Sequence, residues 1–252
     1  MLDAGLQRAL TEAATTPRLL IASDFDGTLA PIVNNPADAR PLPEAAAALE
    51  TLAGLPDTTA ALISGRALSV LLELSGMSAA VQAVGSHGAE FDTGFAHEID
   101  TALLAEIVAT LDSIASERPG VTVEPKLASV ALHVRNASAT DGETALALAA
   151  EAATSWAAHT TAGKAVLEFA VIVTDKGEAV DILRDRCGAT AVVFLGDDVT
   201  DEKAFRRMRD GDIGIKIGPG DSLAGFRVDT PEDAAVVLKF LADARRGPPW
   251  WG

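Results

Sequence analysis

Two aspartates stand one residue apart where an apolar run of the chain ends. Asp24 and Asp26 come directly after the segment 19–23, and Gly27 follows them. An apolar run closed by a glycine is typical of a buried strand that ends in a tight turn. Paired carboxylates at such a point can divide two tasks, because one attacks an electrophile or binds a metal while the other moves a proton. The alternative is that both are turn residues, since aspartate bonds readily to nearby backbone groups.

Phosphate-binding chemistry is indicated at the ends of two further apolar runs. Ser64, Gly65 and Arg66 follow the run that ends at Ile63, and Lys176 follows the segment 171–173. A hydroxyl and free amides at a helix start bind phosphate, and a lysine there neutralises its charge. Taken alone, Ser64 is better explained as a helix cap, and Lys176 is equally consistent with a solvated surface side chain.

An acidic cluster follows the apolar run 191–195. It contains Asp197, Asp198 and Asp201. Carboxylate oxygens of this kind suit Mg²⁺, which combines few carboxylates with waters and a substrate phosphate. Asp198 also fits the cap of the next helix, and Asp201 fits the favourable charge in its first turn. We expect both uses, with Asp197 as the best metal ligand and the other acids as caps or as support for it.

Strand and helix signals alternate along most of the chain, which predicts βαβ units. The predicted strands are 19–23, 58–63, 81–84, 191–195, 213–217 and 226–228, and the predicted helices are 2–14, 43–55, from 67 to about 74, 177–187, 200–209 and 231–245. The fold class is therefore α/β, with a doubly wound and mostly parallel sheet. The carboxyl ends of parallel strands meet at one edge, where such sheets build their sites, so the polar groups described above are expected to gather there.

The pattern changes between residues 93 and 171. This segment predicts a helix, two strands, a helix and a strand, at 101–117, 121–124, 128–134, 142–158 and 165–169. We interpret it as an α+β domain (93–171) inserted into a core formed by 1–92 and 172–252. Its polar residues alternate along the predicted strands in a way that suits polyol recognition. From the residues alone, the solvated face of an antiparallel sheet is the better explanation.

Composition restricts the class of partner and the compartment. The 252 residues carry a net charge of −16 and contain no tyrosine, which argues against binding to nucleic acid or to an anionic membrane surface. The one cysteine, Cys187, excludes an internal disulfide and fits a reducing cytoplasm. No apolar stretch reaches the roughly 20 residues that a membrane span requires. A cytoplasmic monomer that binds a small molecule is expected, with an irregular end at residues 247–252.

The order of the motifs resembles that of the haloacid-dehalogenase-type phosphatases. The residues that carry the resemblance are Asp24-Phe25-Asp26-Gly27-Thr28, Ser64, Lys176, and Gly196-Asp197-Asp198 with Asp201. The resemblance implies that Asp24 forms a phosphoaspartate and that Asp26 is the general acid and base. It also implies Mg²⁺ bound by Asp24, the carbonyl of Asp26 and Asp197, with Asp198 and Asp201 close by. Ser64 and Lys176 would hold the transferring phosphoryl group.

Other segments resemble the trehalose-6-phosphate phosphatases within that superfamily. These are Gly85-Ser86-His87-Gly88-Ala89-Glu90, Glu124-x-Lys126, His133-x-Arg135 and Leu167-Glu168. The resemblance implies hydrolysis of trehalose 6-phosphate in trehalose biosynthesis. The substrate-binding residues that it implies are Asn34, Arg66, His87, Glu124, Lys126, Arg135 and Glu168. One departure is Phe169-Ala170-Val171, where the family often has Arg-Pro soon after the glutamate.

Other functions remain open at the level of the sequence. A phosphatase of the same fold for sucrose 6-phosphate or another sugar phosphate would need the same core residues. A phosphomutase would instead release an isomer of its substrate. A regulatory module that binds a sugar phosphate without catalysis would need no nucleophile paired with an acid, so Asp24 and Asp26 argue against it.

Overall fold

A computed structural model describes residues 2–247 of the chain. Met1 and residues 248–252 lie outside the described residues, and the predicted irregular end falls largely on the latter. The chain divides into two compact units. One contains the residues up to Ala96 and those from Thr174 onward, and the other is His97–Val173. The interpretation of these parts as a catalytic core and an inserted cap stays a prediction.

The structure contains twelve strands in its described part. In chain order they are β1 (Leu19–Ser23), β2 (Thr58–Ile63), β3 (Val81–Gly85), β4 (Glu90–Phe91), β5 (Gly94–Phe95), β6 (Thr122–Pro125), β7 (Ser129–His133), β8 (His159–Gly163), β9 (Val166–Ala170), β10 (Ala191–Gly196), β11 (Ile213–Ile217) and β12 (Phe226–Val228).

Eight α-helices accompany these strands in the described residues. They are α1 (Ala4–Ala14), α2 (Pro43–Ala53), α3 (Leu68–Ser75), α4 (Thr101–Ser116), α5 (Ala139–Ala152), α6 (Lys176–Cys187), α7 (Glu202–Arg206) and α8 (Pro231–Arg246). Short 3₁₀ turns lie at Pro36–Asp38, Ser86–Gly88 and Ala153–Ser155. Within residues 2–247, no helix has both the length and the apolar character that crossing a bilayer demands.

The first unit is built on an eight-stranded sheet with the order β12-β11-β10-β1-β2-β3-β4-β5. Its strands run parallel from β12 to β3, and β4 and β5 add an antiparallel edge. From β1 the chain moves outward through β2 and β3, whereas β10 to β12 extend the sheet on the other side. The strand order therefore reverses between β1 and β10, which is where open α/β sheets form their ligand crevice. The predicted α/β fold class is confirmed.

Helices cover both faces of this sheet. Ile21 of β1 belongs to an apolar cluster that includes Leu10 of α1 and Leu238 of α8. Leu20, its neighbour, belongs to a second cluster, together with Val180 of α6. All five residues of β1 are buried. Its first four side chains enter the two clusters in turn, and the hydroxyl of Ser23 donates to the carbonyl of Asp24. This packing fixes the strand that leads directly into Asp24.

The second unit is a four-stranded antiparallel sheet with the order β6-β7-β9-β8. Alternate side chains of β7 and β9 pack with α4 and α5 around Ile107, Leu132 and Phe169. The ring of Trp156 meets Phe169 edge to face, with their centroids 5.3 Å apart. The intervening residues of β7 and β9 point to the other face of this sheet, away from that apolar cluster.

Several predicted elements have different bounds in the structure. The predicted helix 142–158 runs from Ala139 to Ala152, because the side chain of Ser138 accepts the amide of Asp141 and caps it. Strand β8, which was not predicted, follows at His159–Gly163. All five of its residues are exposed, so it lacks the apolar alternation that identifies a strand, and pairing with β9 holds it instead. The predicted helix 200–209 is only Glu202–Arg206.

Candidate active site

Most of the predicted site residues of the first unit line one cavity at the carboxyl edge of its sheet. The cavity has a volume of about 490 Å³. The predicted residues in its lining are Asp24, Asp26, Ser64, Arg66, His87, Lys176, Asp197 and Asp198. Asn34 is exposed in the loop before Pro36 and is not part of this lining. The reversal of strand order between β1 and β10 thus brings together residues that are far apart in the sequence.

Lys176 lies between two buried carboxylates. Its Nζ is 2.7 Å from Oδ1 of Asp24 and 2.7 Å from Oδ1 of Asp201. Burial raises the pKa of Asp24 well above its usual range, although the ammonium of Lys176 opposes this shift. Burial alone would lower the pKa of Lys176, but the attraction of Asp24 and Asp201 outweighs it, so that pKa is raised. Lys176 is therefore a charged group in the centre of the site and not a solvated surface lysine.

Asp201 holds the loop that follows β10. Its Oδ2 accepts the backbone N–H groups of Asp197 and Asp198, both at 2.9 Å, while Oδ1 accepts Lys176. The hydroxyl of Thr28 donates to Oδ1 of Asp197 at 3.1 Å. A loop fixed by a buried carboxylate in this way keeps Asp197 beside β1. Asp198 is exposed.

The acids of this edge fit a divalent cation. Asp24, Asp197 and Asp201 each offer a carboxylate oxygen, and these three oxygens lie within 4.8 Å of one another. Burial raises the pKa of Asp197, as it does that of Asp24, and a cation bound between them would stabilise both carboxylates. Because both oxygens of Asp201 already accept hydrogen bonds, Asp24 and Asp197 are the better ligands. Gly27, with a φ of +83°, leaves room here for Asp197, which a β-carbon would displace.

Asp26 is held by Arg66 in a two-pronged ion pair. Nε of Arg66 is 2.6 Å from Oδ2 of Asp26, and Nη2 is 2.7 Å from Oδ1. The guanidinium also lies 5.7 Å from the centroid of the Phe25 ring. Sequence reasoning placed Arg66 among the substrate-binding residues, and the structure shows that two of its donors are directed at the second aspartate.

The segments around Ser64 and His87 support each other. The backbone N–H of His87 donates to the carbonyl of Ser64 at 2.9 Å, and Oγ of Ser64 accepts the N–H of Arg66 at 3.2 Å. His87 has a φ of +55°, and its ring covers Gly65 so closely that a β-carbon there would lie 2.5 Å from Nε2. The prediction of Ser64 as a helix cap is wrong, because α3 begins at Leu68 with Ala67 as its N-cap, and the bond from Arg66 belongs to the turn before that helix. Because Ser64 lies in the cavity lining, its phosphate-binding role stays a prediction.

The predicted substrate residues of the second unit form a polar cluster on the face of its sheet that is turned away from α4 and α5. Oε1 of Glu168 accepts Nζ of Lys126 at 2.9 Å and Oγ of Ser129 at 2.7 Å. Burial alone would raise the pKa of Glu168, but the hydrogen bonds from Ser129 and Lys126 outweigh it and lower that pKa. Glu124 pairs with Nε2 of His133 at 2.7 Å.

Arg135 is exposed, two residues beyond the end of β7. The structure therefore places Glu124 and Glu168 on one sheet and joins Lys126, just beyond the end of β6, to Glu168, whereas Arg135 lies two residues beyond β7.

Sequence reasoning missed Lys216. This lysine is 5% exposed in the otherwise apolar strand β11, and its ammonium donates to the backbone carbonyl of Asp197. The signal was present, since a lysine inside a fully apolar strand is almost never buried without a partner. Thr28 and Glu90 also make hydrogen bonds that support the site. Both lie within the motifs that carry the family resemblance, but the sequence analysis assigned no role to either.

Replacing Lys216 by methionine is expected to lower the free energy of unfolding by about 1–3 kcal/mol, measured by urea denaturation in EDTA. Methionine fills similar space but leaves the carbonyl of Asp197 without its charged donor. Lys164, which is exposed, provides the matched control. Lys164→Met is expected to change stability by no more than about 0.5 kcal/mol. Equal effects of the two substitutions would mean that Lys216 does not support the Asp197 loop.

Comparison with known proteins identifies a family. The family model described as trehalose-phosphatase matches residues 22–230. A trehalose-phosphate phosphatase of Mycobacterium avium (strain 104) is 37% identical over 242 residues, which is 87% of this chain and 61% of that protein. A bifunctional trehalose-6-phosphate synthase/phosphatase of Thermoproteus tenax is 31% identical over 239 residues, 90% of this chain and 32% of that protein. The chain thus spans about three-fifths of the length of the Mycobacterium avium relative.

The fold also matches solved structures. A trehalose-6-phosphate phosphatase of Aspergillus fumigatus superposes with a TM-score of 0.72 at 24% identity, covering 96% of this chain and 97% of that one. The C-terminal domain of a Candida albicans trehalose synthase regulatory protein gives a TM-score of 0.62 at 12% identity, covering 92% and 97%. At these identities the likeness concerns the fold alone. The family model, which matches most of the chain, shows that this chain belongs to the trehalose-phosphatase family.

Proposed function

We propose that the chain hydrolyses trehalose 6-phosphate to trehalose and phosphate, as a step of trehalose biosynthesis. The observation that carries the proposal is Asp24, buried against Lys176 and two residues from a second aspartate on the wall of the same cavity. Membership of the family and the name of the Mycobacterium avium relative, a trehalose-phosphate phosphatase, support the substrate. A carboxylate that attacks an anionic ester needs positive charge close by, and the ammonium of Lys176 is 2.7 Å from Oδ1 of Asp24.

The first step forms a covalent bond between the protein and phosphorus. A carboxylate oxygen of Asp24 attacks the phosphorus, and the bond from phosphorus to the sugar oxygen breaks. The proton that the departing alkoxide needs comes from Asp26 acting as a general acid. The ammonium of Lys176 and the hydroxyl of Ser64 hold the equatorial phosphoryl oxygens, where negative charge is concentrated.

The second step releases phosphate and restores the nucleophile. Asp26, now a carboxylate, takes a proton from water as the water oxygen attacks the phosphorus of the phosphoaspartate. The bond between phosphorus and the oxygen of Asp24 then breaks, and the proton gained by Asp26 serves the next turnover. The same side chain is acid in one step and base in the next, which requires that its position stay fixed in both.

We further propose Mg²⁺ as the cation of this site, held by Asp24, the backbone carbonyl of Asp26 and Asp197. Asp201 would position these ligands, and Asp198 would contact the water shell. When bound, the cation supplies positive charge that reduces repulsion between the anionic nucleophile and the anionic ester. The oxygen donors and their spacing within 4.8 Å support this assignment.

Asp197→Asn is expected to weaken Mg²⁺ binding by at least about 10-fold, because even partners behind a ligand change metal affinity by about 10–100-fold. The measurement is the rise in thermal unfolding temperature with increasing Mg²⁺, which needs no substrate. Glu232→Gln, an acid in the first turn of α8, is the matched control. An Asp197→Asn protein that responds to Mg²⁺ like the control would remove Asp197 from the ligand set.

The sugar hydroxyls are assigned to the polar residues of the second unit, which we propose is an inserted cap (residues 93–171) on the core (1–92 and 172–252). Glu124, Lys126 and Glu168 offer two acceptors and a donor on one sheet face, a mixture that suits a polyol. Arg135, together with Asn34, Arg66 and His87 of the first unit, completes the proposed substrate-binding set. We also propose that the chain acts as a monomer in the reducing cytoplasm and binds no nucleic acid, as its charge of −16 favours.

The proposal is tested by phosphate release with Mg²⁺ from trehalose 6-phosphate, glucose 6-phosphate and sucrose 6-phosphate, side by side. Selective release from trehalose 6-phosphate is the expected result. Release from another ester alone would keep the mechanism and replace the substrate. The fold does not decide between catalysis and regulation, since the C-terminal domain of the Candida albicans regulatory protein shares it. Tight binding of trehalose 6-phosphate without release from any ester would therefore favour a regulatory module.

A further inference from the structure

The contact between Arg66 and Asp26 is more specific than surface charge pairing. Two guanidinium nitrogens meet the two carboxylate oxygens at 2.6 and 2.7 Å. The side chain of Arg66 is only 15% exposed, and that of Asp26 is 33% exposed. A parallel pair of N–H···O bonds fixes the plane of a carboxylate as well as its position, which a single contact does not do. Hydrogen bonding to Asp26 also raises the pKa of Arg66.

The backbone of Arg66 is itself held from both sides. Its N–H donates to Oγ of Ser64 at 3.2 Å, and its carbonyl accepts the N–H of Ser86 at 2.7 Å. Ser86 has a φ of +49°, in the left-handed region that residues other than glycine seldom adopt. Such a conformation persists where the surroundings over-determine it.

Glu90 supplies the bonds that fix this turn. Its carboxylate accepts the hydroxyl of Ser86 and, at 3.1 Å, the N–H of Leu68, two residues beyond Arg66. Glu90, a half-buried residue of β4, thus joins the loop after β2 to the turn after β3. Arg66 is consequently presented to Asp26 from a fixed backbone, whereas Asp26 stands in a turn with a partly exposed side chain.

We propose that Arg66 is a positioning residue that fixes the carboxyl group of Asp26 for proton transfer to the leaving group and from water. The inference rests on the proposed function, because it assigns Asp26 the acid and base role described there. A carboxylate has about four lone-pair sites, and the guanidinium occupies two of them. The remaining sites stay available for the transferred proton, in a plane that Arg66 defines.

This role differs measurably from substrate binding. If Arg66 only binds the phosphate group, its removal would weaken the binding of all phosphate esters to the same extent. An arginine that orients the general acid matters where the leaving group needs a proton, as a sugar alkoxide does. It matters little for p-nitrophenyl phosphate, whose leaving group departs as a stable anion. The two roles are therefore separated by comparing the two esters.

The experiment measures the rate of phosphoaspartate formation by rapid quench for Arg66→Gln and Arg66→Lys, on trehalose 6-phosphate and on p-nitrophenyl phosphate. This rate leaves out hydrolysis of the phosphoaspartate, in which Asp26 acts as base for both esters alike. We expect Arg66→Gln to lower the rate on trehalose 6-phosphate by about 30–100-fold, since misplacing a catalytic group by about 1 Å can cost about 100-fold. On p-nitrophenyl phosphate the loss should stay below about 3-fold, and the substrate concentration at half-maximal rate should change little. Arg66→Lys should recover part of the rate, because lysine restores the charge but not the paired bonds. Arg209→Gln, which removes an exposed arginine, is the control.

Two outcomes would overturn the inference: equal losses in the rate of phosphoaspartate formation on the two esters, or a change confined to the substrate concentration at half-maximal rate. In the Asp26→Asn background, Arg66→Gln should cause no further loss on trehalose 6-phosphate, because the group that it positions is gone. A wild-type protein that cleaves neither ester would contradict the proposed function instead. In that case a urea double-mutant cycle between the two positions still tests the pair, and additive effects would show that Arg66 does not hold Asp26.

Discussion

Asp24→Asn is expected to lower kcat for phosphate release from trehalose 6-phosphate by at least about 10⁴-fold. Asparagine cannot form the acyl phosphate, so the covalent route is closed, and losses of this size follow when a nucleophile is removed. The measurement is steady-state release of phosphate with Mg²⁺, together with mass spectrometry of rapidly quenched protein. Wild type should show a phosphoryl adduct on the peptide that contains Asp24, and the variant should show none.

The variant is also expected to remain at least as stable as wild type. Burial raises the pKa of Asp24 well above its usual range, which means that the folded protein disfavours this carboxylate as an anion. Lys176 keeps Asp201 as its partner when Asp24 is replaced. If the Asp24→Asn protein unfolds more readily than wild type, the lost activity is explained by loss of folded structure. Activity within about 10-fold of wild type would exclude Asp24 as the nucleophile.

Lys176→Met is expected to lower both activity and stability. The variant leaves Asp24 and Asp201 buried without their shared ammonium, and breaking a buried ion pair on one side costs about 3–5 kcal/mol. We expect a loss of that size in the free energy of unfolding in EDTA. The loss in kcat should be about 10²–10³-fold, because a preorganised charge aimed at the phosphoryl oxygens disappears.

Lys239 offers a matched comparison on the surface. It pairs with Asp243 at 2.8 Å on α8, and the two side chains are 70% and 56% exposed. Lys239→Met should change stability by less than about 1 kcal/mol, as exposed pairs do. Added Mg²⁺ should restore part of the stability of Lys176→Met, because a cation replaces some of the missing charge. If both lysine variants lose the same small amount, Lys176 does not neutralise the buried acids.

Expectations about the sheet were accurate where the strands are buried. The strand 19–23 agrees with the structure residue for residue, because its first four side chains pack into two apolar clusters and so form a continuous apolar run. β8 was not predicted, for the opposite reason. Its five residues are all exposed, so the sequence shows no alternation of apolar and polar residues there, and the strand is defined by its backbone pairing with β9.

The same distinction applies to the candidate site, where residues marked by local sequence patterns were predicted and contacts between distant side chains were not. Asp24, Ser64, Lys176 and Asp197 were identifiable because each follows an apolar run and because together they match the motifs of a family. Contacts made by single side chains were not identifiable. The sequence predicts Arg66 as a substrate-binding residue, but it does not reveal that the guanidinium pairs with Asp26. Lys216 looked like part of an apolar strand, yet its ammonium supports the carbonyl of Asp197.

The sequence by itself determined the α/β class, the order of the motifs and the chemical types brought to the sheet edge. These follow from local periodicity and residue type, which depend on neighbours in the chain. Only the tertiary structure decided which charge meets which: Lys176 with both Asp24 and Asp201, and Arg66 with Asp26 across 40 positions. Such pairings depend on ångström-scale distances between elements, and electrostatic and hydrogen-bond energies change steeply over that range.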